Sequence, residues 1–154
     1  YIKKYIIDYM FIIRGGKMIS YIEKLPTPEE FNLLYEAVGW GTIDTNIIDT
    51  ALKNTVYSIC VYDDSKIIGD GRIIGDKTMF LYIQDIMVLP SYQNQKIGTN
   101  IMNKIITKIK ELKTIKPSLR TYIGPSKGVE DFYRKFGFIT RKEADLGEGM
   151  ILKI

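Results

Sequence analysis

The sequence predicts an α/β chain: a central mixed, mostly antiparallel sheet with helices on both faces. Three observations carry this. From Thr55 to Leu89, three β-branched and aromatic runs are separated by two short polar turns. From Gln95 to Leu112 the apolar period switches to that of a helix. Shorter helical and strand patterns flank both regions. Together they give the order β-α-α-β-β-β-α-β-α-β-β.

The first strand is predicted at Met18 to Lys24. Thr27-Pro28-Glu29-Glu30 then opens a helix: Thr27 can cap, Pro28 sits where no amide bond is lost, and Glu30 can close a capping box. Phe31, Leu34, Tyr35 and Val38 follow at helical spacing, and Gly39 ends the run. Asp44 or Thr45 can cap a second short helix carrying Ile47, Ile48, Ala51 and Leu52. Thr55 to Tyr62, Lys66 to Ile74 and Thr78 to Leu89 form a meander joined by short turns at 63–66 and 75–77. Gly69 and Gly71 in its middle strand signal a bulge or a close backbone approach.

In the long helix, Ile97, Ile101, Ile105, Ile109 and Leu112 share one face, and the lysines fall mainly on the other as a solvated surface. Pro117 ends that segment. Leu119 to Ile123 is a strand, Lys127 to Lys135 a short helix stopped by Gly137, and 138–142 with 150–154 a last pair of strands. Cys60 reads as a small core residue.

Composition narrows the chemistry. The chain has 154 residues, no His and one Cys. That excludes a Ser-His-Asp triad, a Cys-His pair, His-ligated zinc, an intrachain disulfide and Cys-rich metal sites. Carboxylates, Tyr, Lys, hydroxyls, backbone amides or a bound small molecule must do the work, and no metal is expected. The net charge of +4, with seventeen Lys and five Arg, does not announce nucleic-acid binding. No apolar run approaches the roughly 20 residues that span a bilayer.

The segment Val88-Leu89-Pro90-Ser91-Tyr92-Gln93-Asn94-Gln95-Lys96-Ile97-Gly98-Thr99 takes a strand through a polar loop straight into the long helix. Unpaired amides at a helix start carry partial positive charge and can hold a phosphate. An ordinary strand–loop–helix connection would look much the same.

Two motifs carry a resemblance. The run Val88-x-Pro90-x-x-Gln93-x-x-Lys96-x-Gly98 resembles the acetyl-CoA motif of the GNAT N-acetyltransferase superfamily, V-x-P-x-x-[RQ]-x-x-G-x-[GA]. Downstream, Phe132-Tyr133-Arg134-Lys135-Phe136-Gly137-Phe138 is similar to that family's second signature, F-Y-x-x-x-G-F. The resemblance covers about 18–154. It implies that Ile86, Met87 and Val88 lie on a splayed strand whose main chain pairs with the pantetheine arm. It implies that the amides of Gln93, Asn94, Gln95, Lys96, Ile97, Gly98 and Thr99 hold the pyrophosphate. Tyr133 matches a Tyr that protonates the departing CoA thiolate in many members. Lys96 departs from the pattern, standing where the family has its first Gly, and a Cβ there can crowd the pyrophosphate. Ser126 stands where many members carry an Asn facing the cofactor. The loop around Trp40, between Gly39 and Gly41, matches one that commonly borders the acceptor site; plugging the core edge is the other reading for this Trp.

Acetyl transfer from a thioester to an amine suits a His-free chain. It requires a neutral amine, a donor amide for the oxyanion (Val88 on the splayed strand), and a proton for sulfur. Tyr133 is protonated at neutral pH and can supply that proton. Strict alternation along 82–88 sets Ile83, Asp85 and Met87 on one face and Gln84, Ile86 and Val88 on the other. Asp85, in an apolar strand, must have a partner or face a wet cleft. It reads equally as the group that handles the substrate ammonium and as a buried structural carboxylate. Gln84 joins the same cleft if the strand bulges, and Tyr35 and Arg72 are further acceptor-site candidates.

The expected activity is acetyl transfer from acetyl-CoA to a small primary amine. Acetylation of a protein or peptide amine, and CoA binding without turnover, are the alternatives. Residues 1–17 read as an extension outside the functional fold, with Asp8 inside an apolar stretch that makes a poor signal peptide, and with an extra edge strand as the other reading. One domain at 18–154, a cytoplasmic location, no membrane or nucleic-acid partner, and a homodimer left open complete the expectations.

Overall fold

The computed structural model describes residues 10–14 and 17–153. The chain divides into two compact units, Tyr1–Gly124 and Pro125–Ile154. The first holds one six-stranded sheet in the order β1-β2-β3-β4-β5-β6. Strands β1 (Met10–Arg14), β2 (Lys17–Ile22), β3 (Thr55–Asp63), β4 (Lys66–Gly75) and β5 (Phe80–Val88) pair antiparallel in sequence order. Strand β6 (Arg120–Ile123) lies parallel to β5. The mixed, mostly antiparallel sheet is the one the sequence predicts. Of the expected N-terminal extension, Met10–Arg14 form the edge strand against β2; residues 1–9, 15 and 16 lie outside the described residues.

Helix α1 (Pro28–Ala37) starts with the capping box read from the sequence. Thr27 Oγ1 accepts from the Glu30 amide at 3.2 Å, and Glu30 Oε2 accepts from the Thr27 amide at 2.8 Å. Helix α2 (Thr45–Lys53) is capped by Asp44, whose carboxylate accepts from the Asn46 amide. Helix α3 (Ile97–Ile115) buries Ile97, Ile101, Met102, Ile105 and Ile109. Strand β5 begins at Phe80 rather than Thr78, because one Asp76 carboxylate oxygen accepts from the amides of Thr78, Met79 and Phe80 and holds them in a turn.

The two faces of the sheet are told apart along β4. A Cβ on Gly71 would come within 2.5 Å of Ile101 and 3.1 Å of Ile105, so this strand position lets α3 lie directly on the sheet. The next residue, Arg72, reaches Phe31 of α1 and the carbonyl of Ala51 in α2. Neighbouring strand residues point to opposite faces, so α3 covers one face and the α1–α2 pair the other.

In the second unit, helix α4 (Glu130–Arg134) is the only regular element among the described residues. The strand pair predicted at 138–142 and 150–154 is not formed at the described positions; residue 154 lies outside them. A turn signal prevails over the β-propensity at 138–142. The Glu143 carboxylate accepts from the Thr140 amide and hydroxyl, and both its oxygens bind Arg134 at 3.0 Å. The Leu146 amide closes back on the Arg141 carbonyl. Met150, Ile151 and Leu152 are exposed and pair with no strand.

Candidate active site

Strand β5 contains a β-bulge. Met87 pairs with Asp70 and Gln84 with Arg72, so two residues, Asp85 and Ile86, stand opposite the single Gly71. Asp85 takes φ +55°, a left-handed conformation that is uncommon for a residue other than glycine. The bulge overturns the alternation expected from the sequence. Gln84 and Met87 share the α1–α2 face with their partners Arg72 and Asp70. Ile83 and Val88 share the α3 face with Ile73 and Gly69. The Ile86 side chain also lies on the α3 face, where a Cβ on Gly71 would meet it at 2.7 Å.

Asp85 accepts from Arg72 Nε in an ion pair, with side chains 10% and 12% exposed respectively. Arg72 is further anchored by Nη1, which donates to Ala51 O at 3.3 Å and Thr55 Oγ1 at 3.2 Å. Its guanidinium lies 5.7 Å from the Phe31 ring centre. The costly carboxylate in an apolar strand is therefore partnered. Gln84, Asp85 and Arg72, three of the predicted site residues, are brought together on one face.

From Arg72 an aromatic series runs outward. Phe31 and Tyr35 stack at 5.5 Å, and Tyr35 meets Trp40 edge-on at 5.3 Å. Trp40 is 43% exposed, and its amide donates to the Tyr35 carbonyl at the end of α1. It does not plug the core. Gly39 and Gly41 beside it both hold positive φ, +83° and +90°. Asn32 ties down the far side of the loop through both the amide and the carbonyl of Ile43.

The β5–β6 ladder ends at Ile83↔Ile123. Beyond it, the edge of β5 from Gln84 to Val88 has no partner strand among the described residues, and of its main-chain groups the Val88 carbonyl is held by the Gln93 side chain. Met87 is 0% exposed, main chain and side chain together, and pairs with Asp70 of β4, so the structure does not bring this predicted residue to the open edge.

After β5 the chain makes a 3-10 turn at Pro90–Tyr92 and then enters α3. Tyr92 donates to Asp63 at 2.6 Å, and the Gln93 side chain donates back to the Val88 carbonyl at 3.1 Å. Gln95 likewise donates to Ser91 O. Asn94 and Lys96 both hold left-handed φ, +59° and +64°. Lys96 is the N-cap of α3, and no side chain caps that helix. The first amides of a 19-residue helix, from Ile97 through Gly98 and Thr99, thus lack a side-chain cap partner. Ile97 is buried and can offer only its backbone. The backbone at Lys96 adopts the form a glycine takes most easily, at a cost on the order of 1–2 kcal/mol for a residue with a Cβ. We expect Lys96→Gly to leave the fold and the affinity for CoA equal or improved, checked by calorimetry. A large loss would show that the Lys side chain itself grips phosphate.

Two sequence-predicted residues lie in the second unit. Tyr133 packs edge-on against Phe132 at 5.0 Å and against Phe138 at 6.3 Å, and burial raises its phenol pKa. Ser126 is exposed, and its carbonyl accepts from the Val129 amide before α4.

The sequence reading missed Asp70 and Ser58. Asp70 is 0% exposed in β4 and accepts from Ser58 Oγ at 2.9 Å. Its Oδ2 has no hydrogen-bond partner among the described residues. Burial is the main cause pushing its carboxyl up to about 7, and the Asp85 charge adds to it; bonds from Ser58 and the Gly71 amide act the other way. The signal was present: a carboxylate between two glycines, in a strand carrying Ile67, Ile68, Ile73 and Ile74. Cys60 is fully buried as predicted; it lies 3.7 Å from Asp70, and burial raises its thiol pKa strongly.

Residues 55–140 match the family model described as the acetyltransferase (GNAT) domain. An uncharacterized N-acetyltransferase, ycf52, of Pyropia yezoensis is 26% identical over 125 residues, covering 79% of this chain and 68% of its own length. The chloroplastic GCN5-related N-acetyltransferase 1 of Arabidopsis thaliana is 29% identical, covering 81% of this chain and 62% of its own length. Among solved structures, a probable acetyltransferase of unknown function from meticillin-resistant Staphylococcus aureus superimposes with a TM-score of 0.78. It is 32% identical, covering 89% of this chain and all of its own (100%). Arabidopsis Naa50, in complex with a bisubstrate CoA–peptide analogue, shares the fold at a TM-score of 0.64 and 19% identity, covering 79% of this chain and 83% of its own. Fold, strand order and matched motifs agree: this chain belongs to the GNAT acetyltransferase family.

Proposed function

We propose that the chain, through residues 18–154, is an N-acetyltransferase that moves the acetyl group of acetyl-CoA to a primary amine of a small molecule. The observation that carries this reading is the junction of β5 and α3. There an edge of strand with no partner from Gln84 to Val88 leads into a helix whose first amides are uncapped. The strand edge suits the amide-bearing pantetheine arm. The amides from Gln93 to Thr99 suit the pyrophosphate. The Val88 amide is assigned to the thioester oxyanion. Tyr133 is assigned the proton for the departing thiolate, and its raised pKa keeps the phenol protonated across neutral pH. Ser126 is assigned to the cofactor side.

On the acceptor side the reading uses Asp85, Arg72 and Gln84 at the bulge, and Tyr35 and Trp40 along the aromatic series. Asp85 attracts the substrate ammonium or accepts its proton through water, so that a neutral amine meets the thioester. Direct attack then forms the new C–N bond as the C–S bond breaks. The amine's proton passes to solvent or carboxylate, and the sulfur takes one from Tyr133. Among the described residues no helix is long and apolar enough to cross a membrane. A cytoplasmic enzyme, with or without a homodimer, remains the proposed setting.

A thiol-release assay with acetyl-CoA across a panel of small amines tests this. Peptide N-termini belong in the panel, since Naa50 of the same fold was captured with a peptide analogue. Release of CoA with at least one small amine is expected. Turnover of peptides alone would move the acceptor class, and no CoA binding at millimolar ligand would overturn the reading. Asp85→Asn is expected to lower kcat by roughly ten-fold or more, with CoA affinity little changed. An undiminished kcat, or a variant that does not fold, would leave Asp85 a structural partner of Arg72.

A further inference from the structure

We propose that Asp70 is a positioning residue for the acceptor site: Asp70 shares one face of the sheet with Arg72 and Asp85, Arg72 pairs with Asp85 alone, and the charge on Asp70 governs the negative charge that Asp85 presents to a cationic amine. The amine rests on the functional reading above; the carboxyl pair rests on strand register and burial.

Directly paired residues of antiparallel strands share a face. Cys60 pairs with Asp70, and Asp70 with Met87; Ser58 pairs with Arg72, and Arg72 with Gln84. All six therefore lie on the α1–α2 face of three adjacent strands. The bulge adds Asp85 to this row, beside Arg72. Arg72 directs its hydrogen bonds to Asp85, Ala51 and Thr55. None of those bonds goes to Asp70, whose Oδ1 accepts from Ser58 and Cys60, whose carboxylate also feels the Gly71 amide, and whose Oδ2 has no hydrogen-bond partner among the described residues.

On the same side, Glu29 and Glu36 of α1 are exposed, and Tyr62 donates to Glu30 at 2.7 Å. Lys24 and Glu30 lie beyond Cys60 and face each other at 3.9 Å. On α2, Lys53 pairs with Asp49. One guanidinium thus answers for two carboxyls. With Asp70 protonated, Arg72 and Asp85 balance, and the row is neutral. With Asp70 ionised, the row carries one unmatched negative charge, which a cation at Asp85 relieves. The burial of Asp70 and the nearby Asp85 charge hold its carboxyl up near neutrality, so both states are accessible there.

Carboxyl-carbon NMR titration of the full chain tests the coupling without any acceptor. Asp70 is expected to titrate near neutral pH. Asp85→Asn, which removes the competing charge, is expected to lower that midpoint by about half a pH unit or more. Ser58→Ala, which removes a donor to the ionised form, is expected to raise it. A wild-type midpoint below about 5, the ordinary carboxyl range, or a midpoint unmoved by Asp85→Asn, would overturn the proposal. With any amine the panel shows to be turned over, Asp70→Asn is expected to remove the neutral-pH inflection from kcat/KM and to leave CoA affinity unchanged. Persistence of the inflection in that variant would also overturn it. If no amine is acetylated, the functional reading fails while the titrations still decide the carboxyl pair.

Discussion

Tyr133→Phe is expected to lower kcat by on the order of 10–100-fold, with stability and CoA affinity near wild type. The substitution keeps the ring, and with it the edge-on contacts to Phe132 and Phe138, and removes only the hydroxyl. Burial raises the phenol pKa, so the proton is in place throughout neutral pH. A departing thiolate is a good leaving group, and water can partly replace the acid, which holds the loss below the upper range of general-acid effects. Pre-steady-state thiol release with the true acceptor is the measurement. A wild-type rate for the variant, with chemistry rate-limiting, would remove Tyr133 from the mechanism.

Asp70→Asn is expected to gain stability relative to wild type as pH rises. The sign follows from linkage. The folded carboxyl sits at about 7 against an ordinary value of 3.8, so between those values the folded state holds a proton that the unfolded chain has lost. The stabilisation is complete below the unfolded value and disappears as pH rises through the folded one. Asn carries no such penalty, and its side-chain oxygen can still accept from Ser58. Between pH 5 and pH 8 the difference in unfolding free energy between variant and wild type should shift toward Asn by on the order of 2–3 kcal/mol. Urea unfolding at both pH values measures it; parallel behaviour of the two proteins would mean that Asp70 is an ordinary ionised carboxylate. Because this row faces the α1–α2 pair, the same measurement reports how dry that packing is.

Much of the architecture was legible in local chemistry. The capping box at Thr27, the polar turns at 63–66 and 75–77, and the isoleucine stripe of α3 each state their own conformation, and each is found. Gly69 and Gly71 announced a close approach, and α3 fills the space a Cβ would need. The last strand pair was misread because the sequence shows β-branched and aromatic residues without showing the competing bonds. Thr140, Glu143 and Arg134 use their side chains to hold a turn at 138–146 instead.

By itself, the sequence determined the fold class, the strand–loop–helix junction at 88–99, and a chemistry free of histidine and of cysteine pairs. Those depend on residue type, on period and on short-range caps, which are properties of neighbours in the chain. Only the tertiary structure decided which polar residues meet. Alternation placed Asp85 with Ile83, and the bulge opposite Gly71 turned it toward Arg72 instead, because one extra residue in a strand inverts the side-chain phase beyond it. Asp70 looked like one more polar residue in a strand. It became a buried carboxyl near neutrality only when β3 brought Ser58 and Cys60 beside it and β5 brought Asp85. Burial and like charge are long-range properties, and they arise when distant strands pair.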